Sequence, residues 1–292
     1  INSNTMASPL SSTFRRGVVC VSKIRCPCLP KFNKFTTDAS KTMSYVNLQN
    51  APEGFDVTSA VVYPGFLTEE EGKSLIKEAG KRLKRRRFEN GHWDSVITGY
   101  REVEIPTPDE ELMRGFDNDT KENDSTLPLF AKLIEETRRH IAKNNFSSNV
   151  DGCVGEISNN IRWLPCHAID LSAQGVLSAH VDSVKFSGKV VAGISLLSDT
   201  IMRLRPSSKE WDNEQEDSKM SDDVAEHGYV DLYLPQLSLY VLSGMSRYSY
   251  THELLPSGSA FEFYEESEKA NKKIDVIRGR RLSIIFRDEH CK

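Results

Sequence analysis

No apolar run in the 292 residues approaches the roughly 18 needed to span a bilayer as a helix, which argues against an integral membrane protein. Cysteine is sparse. Cys20, Cys26 and Cys28 sit near the N-terminus and Cys153, Cys166 and Cys291 are scattered without zinc-site spacing. Reduced thiols are therefore expected in place of a disulfide frame or structural zinc. There is no Gly-rich phosphate loop, nucleophile elbow or Ser/His/Asp spacing, which removes the usual grounds for a nucleotide hydrolase or an acyl transferase. Positive charge is short as well: residues 44–292 carry 31 Lys and Arg against 41 Asp and Glu, a net charge of −10. Phosphate contacts dominate non-specific nucleic-acid affinity, so DNA is an unpromising partner and any nucleic-acid role requires a local basic patch.

The basic residues that are missing from the body gather at the start. Between Met6 and Met43 stand Arg15, Arg16, Lys23, Arg25, Lys31, Lys34 and Lys41 against the single acid Asp38, among many Ser and Thr. That composition reads as a mitochondrial transit-like segment over residues 1–43, and the run 17–21 is too short for a secretory signal. The expected address is the mitochondrial matrix. Residues 44–292 then suit one globular domain. Between 207 and 227 it is interrupted by Glu210, Asp212, Glu214, Glu216, Asp217, Asp222, Asp223 and Glu226 with only Lys209 and Lys219 in answer. This insertion, like the shorter stretch 117–124, reads as a solvated acidic loop.

A helix is expected after the capping box Thr68-x-x-Glu71, with acids in its first turn and the cluster Lys81, Arg82, Lys84, Arg85, Arg86 and Arg87 at its end. The cluster suits the helix dipole by itself, and a phosphate-binding patch is the alternative. A second helix is expected over 127–143, with an apolar stripe of Leu127, Phe130, Leu133, Ile134 and Ile141. Arg138, Arg139, His140 and Lys143 would lie on its wet face. From 157 onward come short apolar runs at 161–164, 168–171, 190–197, 229–234, 237–242, 261–264 and 282–286, separated by Gly, Ser and Pro. Many short strands indicate a mainly β fold with flanking helices, specifically a double-stranded β-helix, the jelly roll.

Chemistry enters at His180-Val181-Asp182. In an extended segment the two outer side chains share a face while Val181 points into packing. His252, arriving on a paired strand, completes two imidazoles and a carboxylate on one side of an ion, the arrangement of non-haem Fe(II) oxygenases. In 281–287, Arg281 and Arg287 share one face while Leu282, Ile284 and Phe286 take the other. Strand rise separates the two by roughly 20 Å, a gap that long side chains can close onto a small dicarboxylate. A solvent-facing pair on an edge strand is the alternative.

His180-x-Asp182, His252 and Arg281-x5-Arg287 together resemble the AlkB family of Fe(II)/2-oxoglutarate dioxygenases. The likeness runs from about Tyr63 to Asp288 and is similar to the family's mitochondrial branch at Phe66-Leu67-Thr68-Glu69, Arg85-Arg86-Arg87-Phe88, His92-Trp93-Asp94, Ser238-Leu239-Tyr240-Val241-Leu242 and Arg278-Gly279-Arg280-Arg281. The resemblance implies that His180, Asp182 and His252 bind Fe(II) and that Arg281 holds the distal carboxylate of 2-oxoglutarate. It also implies that Arg287 and Tyr240 complete the co-substrate pocket, and that O2 is the oxidant. One departure stands out: where nucleic-acid demethylases of the family carry Asn-x-Tyr, this chain reads Ile169-Asp170-Leu171, so a phenol must come from elsewhere, Tyr240 being the candidate. No lid segment for gripping a flipped base is legible before His180. A mitochondrial protein substrate or a structured mitochondrial RNA is expected, protein slightly ahead. The competing reading is a jelly-roll scaffold or regulator that keeps its iron site without turnover.

Overall fold

The structure, a computed structural model, describes residues 45–91, 96–106, 128–145, 161–207, 228–263 and 272–290. The transit-like segment 1–43, His92-Trp93-Asp94, the stretch 117–124, nearly all of the acidic insertion, Cys153 and Cys291 lie outside the described residues.

Helix α1, Glu69–Leu83, begins at the expected capping box. The Thr68 hydroxyl accepts from the Glu71 N–H at 3.3 Å and the Glu71 carboxylate accepts from the Thr68 N–H at 2.8 Å. Its inner stripe of Leu75, Ala79 and Leu83 is fully buried. Helix α2, Leu129–Asn145, begins two residues later than the expected 127 and buries Phe130, Leu133, Ile134 and Ile141. Its wet face is narrower than the periodicity implies. Arg138 is buried and donates to the Leu164 carbonyl. His140 packs edge-on against Tyr63 and Phe66, and burial, followed by the Lys143 charge, pushes it down to about 4.

Among the described residues there are twelve strands, two ahead of α1, one between the two helices and the others after α2. The larger sheet is antiparallel throughout, in the order β2 (Ala60–Tyr63), β8 (Leu239–Ser243), β5 (Ser187–Leu196), β12 (Arg281–Glu289), β4 (Cys166–Leu177), β3 (Ile97–Ile105). The smaller has the order β1 (Val46–Asn47), β7 (Val230–Leu234), β6 (Thr200–Pro206), β9 (Tyr250–Leu254), and β10 (Ser259–Phe263) and β11 (Lys272–Val276) form a separate hairpin. Along the chain β4, β5, β8 and β12 fall in the larger sheet while β6, β7, β9 and the bridge at His180 fall in the smaller one. That alternation of successive strands between two facing sheets is the jelly roll, as the strand pattern implied. The expected strand at 161–164 is absent: Trp163 makes a single bridge to Asp288, and Pro165 supplies no donor to extend it.

Two cores result. Leu75, Leu83, Ile134, Ile284 and Phe286 fill the space between helices and larger sheet, whereas Val62, Leu171, Leu204, Leu232, Tyr240 and Ile285 fill the space between sheets. Strand β12 lies between β4 and β5 and contributes to both, its even members facing the helices and its odd members the opposite sheet. It is a central strand, which disposes of the edge-strand alternative for its arginines.

Candidate metal centre

His180 and His252 exchange both main-chain hydrogen bonds, His180 N–H to the His252 carbonyl at 3.2 Å and the reverse at 2.8 Å. This pairing holds the imidazoles together, ring centroids 4.2 Å apart. Asp182, two residues along, returns to the same side. Its Oδ1 stands 3.3 Å from His180 Nε2 and 3.8 Å from His252 Nε2, and the three ligand atoms lie within 4.8 Å of one another. The structure thus brings together all three of the expected ligating side chains.

Each group is in the form that a cation requires. His180 Nδ1 donates to the Ser178 carbonyl at 2.8 Å, which fixes the tautomer and leaves the Nε2 lone pair pointing at its neighbours. Burial, then the adjacent His180, pushes His252 down to about 3, so it is neutral. Burial alone would raise Asp182, but the Arg287 guanidinium holds its carboxyl well below the usual carboxylate range. Arg287 Nε donates to Asp182 Oδ2 at 2.7 Å, leaving Oδ1 free to face the imidazoles. Two lone pairs on nitrogen and one on carboxylate oxygen, with no protein donor between them, fit a divalent first-row metal.

The centre opens into a cavity of about 60 Å³ whose walls include Tyr240, Arg281, Ser283 and Arg287 as well as the three ligands. Arg281 is 4% exposed, and its Nε and Nη2 have no hydrogen-bond partner among the described residues. Burial lowers its affinity for a proton. Tyr240 stands opposite Gly193 on β5, and a Cβ on Gly193 would approach the Tyr240 hydroxyl oxygen to 2.7 Å. That glycine is what leaves the phenol room. Ile169 and Leu171 also line the cavity, whereas Asp170 between them turns to the helix side and accepts from Arg101 and Arg280.

Sequence reading missed Ser178 and Gly193. Ser178 acts through its main-chain carbonyl, which leaves no signature in side-chain patterns, but a glycine amid the apolar run 190–197 is a signal that close approach was needed.

No protein-family model matches the chain. Over 230 residues it is 33% identical to a protein of Mus musculus named alpha-ketoglutarate-dependent dioxygenase alkB homolog 7, mitochondrial, covering 78% of this chain and 77% of that one. The protein of the same name from Bos taurus is 31% identical over 231 residues, covering 78% of each. A solved Pseudomonas putida prolyl-4-hydroxylase aligns at 12% identity and a TM-score of 0.45 over 80% of this chain and 94% of that one.

Proposed function

The chain belongs to the AlkB family of 2-oxoglutarate-dependent dioxygenases, and from that premise we propose that His180, Asp182 and His252 hold its Fe(II) while Arg281 receives the distal carboxylate of 2-oxoglutarate. One observation carries the assignment. A buried guanidinium with two unpartnered N–H groups is costly unless an anion completes it, and Arg281 shares its cavity with the three ligands.

When bound, Fe(II) and 2-oxoglutarate supply O2 activation, with release of succinate and CO2 and oxidation of a substrate C–H bond. The residues prepare the ground for it. His180, Asp182 and His252 would hold the ion through two imidazole nitrogens and one carboxylate oxygen, a set that suits chemistry with co-substrate and O2. Arg287 keeps Asp182 ionised and aimed. Tyr240 closes the pocket beside Arg281, and Leu171, Met202 and Leu254 form apolar walls that exclude water.

The protein is mitochondrial, as its relatives are named, and the matrix is the compartment we propose. No helix among the described residues is long and apolar enough to cross a membrane. For substrate we favour a protein side chain, because residues 44–292 carry a net charge of −10 that repels phosphate. A structured RNA is the second reading, supported by the exposed Lys84, Arg85, Arg86 and Arg87. A catalytically silent scaffold has no need of Arg281 as it stands.

The test is succinate formation from added 2-oxoglutarate by the full chain with Fe(II), ascorbate and O2, beside His180→Ala and Arg281→Ala. Succinate lost in both variants supports the assignment, and stimulation by mitochondrial peptides or by RNA separates the two substrates. Turnover unaffected by either variant would sink it.

A further inference from the structure

Arg247 belongs to the short helical turn α3, Gly244–Tyr248, which joins β8 to β9 and so lies between Tyr240 and His252. It is 2% exposed, yet its hydrogen bonds go to main-chain carbonyls and one hydroxyl rather than to a carboxylate. Nη1 donates to the Asp182 carbonyl at 2.9 Å, and Nη2 donates to the Ser187 carbonyl at 3.1 Å, the Ser187 hydroxyl at 3.0 Å and the Ser183 carbonyl at 3.4 Å. The loop it grips is closed on itself, since the Ser187 N–H and hydroxyl both donate to the Ser183 carbonyl. The turn is anchored too: the Ser246 and Ser59 hydroxyls meet at 2.6 Å and the Tyr248 hydroxyl donates to the Gly188 carbonyl.

Burying a cation without a carboxylate hydrogen-bonded to it is unfavourable for stability alone, and the carboxylates of Asp182 and Asp288 act on Arg247 only through space. What the guanidinium adds here is a planar fork with fixed geometry. Asp182 is consequently held at both ends, its carboxylate by Arg287 and its carbonyl by Arg247. We propose that Arg247 is a positioning residue for the metal centre, fixing the main chain of Asp182 relative to His252 so that the three ligand atoms converge before any ion arrives. This rests on the metal-centre reading above.

Charge and position make opposite predictions. Arg247 is a cation near a site for a cation, so removing its charge would by Coulomb's law tighten binding of a divalent metal; removing a positioning fork loosens it. The experiment titrates Mn(II) into the full chain, following loss of the free-ion paramagnetic resonance signal, for wild type, Arg247→Met, Arg247→Lys and His180→Ala, with far-ultraviolet circular dichroism as the check on folding. We expect Arg247→Met to weaken Mn(II) binding about tenfold or more, in the range known for groups that orient metal ligands. Arg247→Lys should also weaken it although the charge is kept. Arg247→Met binding as tightly as wild type, or more tightly, overturns the proposal. If Arg247→Met does not fold, Ser187→Ala removes one acceptor from the fork, and a smaller weakening is expected; an unchanged constant overturns the proposal. Wild type that shows no Mn(II) binding sensitive to His180→Ala overturns the metal-centre reading, and this proposal with it.

Discussion

Asp170 and Asp182 are both buried aspartates with arginine partners, and they do opposite things. Asp170 is saturated: Arg101 Nε donates to Oδ2 at 2.7 Å, and Arg280 donates from Nε to Oδ1 at 2.7 Å and from Nη2 to Oδ2 at 2.8 Å. Arg101 reaches on to the carbonyls of Leu83 and Arg86, so this cluster ties the end of α1 to the larger sheet. Asp182 is half satisfied. Oδ2 has Arg287, while Oδ1 faces two imidazole nitrogens that offer lone pairs of their own. A filled carboxylate is structural, whereas a carboxylate left open beside two acceptors awaits a cation.

The sharpest way to break this contrast is to remove each aspartate in turn. Asp182→Ala should weaken Mn(II) binding by more than about a hundredfold, beyond the effect of groups that merely orient ligands, as titration will read. Asp170→Ala should leave Mn(II) binding near wild type but lower stability in urea by roughly 3 kcal/mol, since two arginines lose their anion. Next in size is Arg281→Met. It should weaken 2-oxoglutarate binding by about 2 kcal/mol, the worth of a charge-assisted hydrogen bond, without destabilising the ligand-free protein, because the arginine lacks an internal anion. Calorimetry with and without co-substrate checks both parts. Gly193→Ala should cost about 1.5 kcal/mol through overpacking against Tyr240, with a larger loss of 2-oxoglutarate affinity than of Mn(II) affinity.

The smallest effect lies away from both aspartates. His140 is held down at about 4, against an ordinary value of 6.5, so the unfolded chain takes up a proton that the folded one resists. Its contribution is complete above pH 6.5 and is lost as pH falls from there toward 4. Urea midpoints should therefore drop over that window by the equivalent of about 1 kcal/mol more in wild type than in His140→Phe.

What was legible in the sequence was what repeats at a fixed period or sits within a few residues. The capping box at Thr68 is local chemistry, and the division of β12 into Arg281, Arg287 on one face and Leu282, Ile284, Phe286 on the other follows from a two-residue period. The strands that went unrecognised explain themselves. In β3 the charged Arg101, Glu102 and Glu104 interrupt the apolar alternation, and β11 opens on the exposed Lys272 and Lys273. The helical period puts His140 on the wet face because it does not show that Tyr63 and Phe66 reach over it. The cluster of His180, Asp182 and His252 is readable because its chemistry resides in side chains, whereas Arg247 is not, because most of its partners are carbonyls that every residue owns.

The mutual hydrogen bonds of His180 and His252 have a bearing on handling the protein. Strand β9 is the last strand of the smaller sheet, with β6 on one flank and the two-residue bridge at His180 on the other. If His180 and His252 ligate an ion as proposed, the ion is a rivet along an otherwise open margin. Chelation should therefore do more than silence chemistry: it should loosen the hem of the sheet and expose unpaired amides to which a second molecule can add. Preparations stripped of metal should cloud on storage sooner than those kept charged with it.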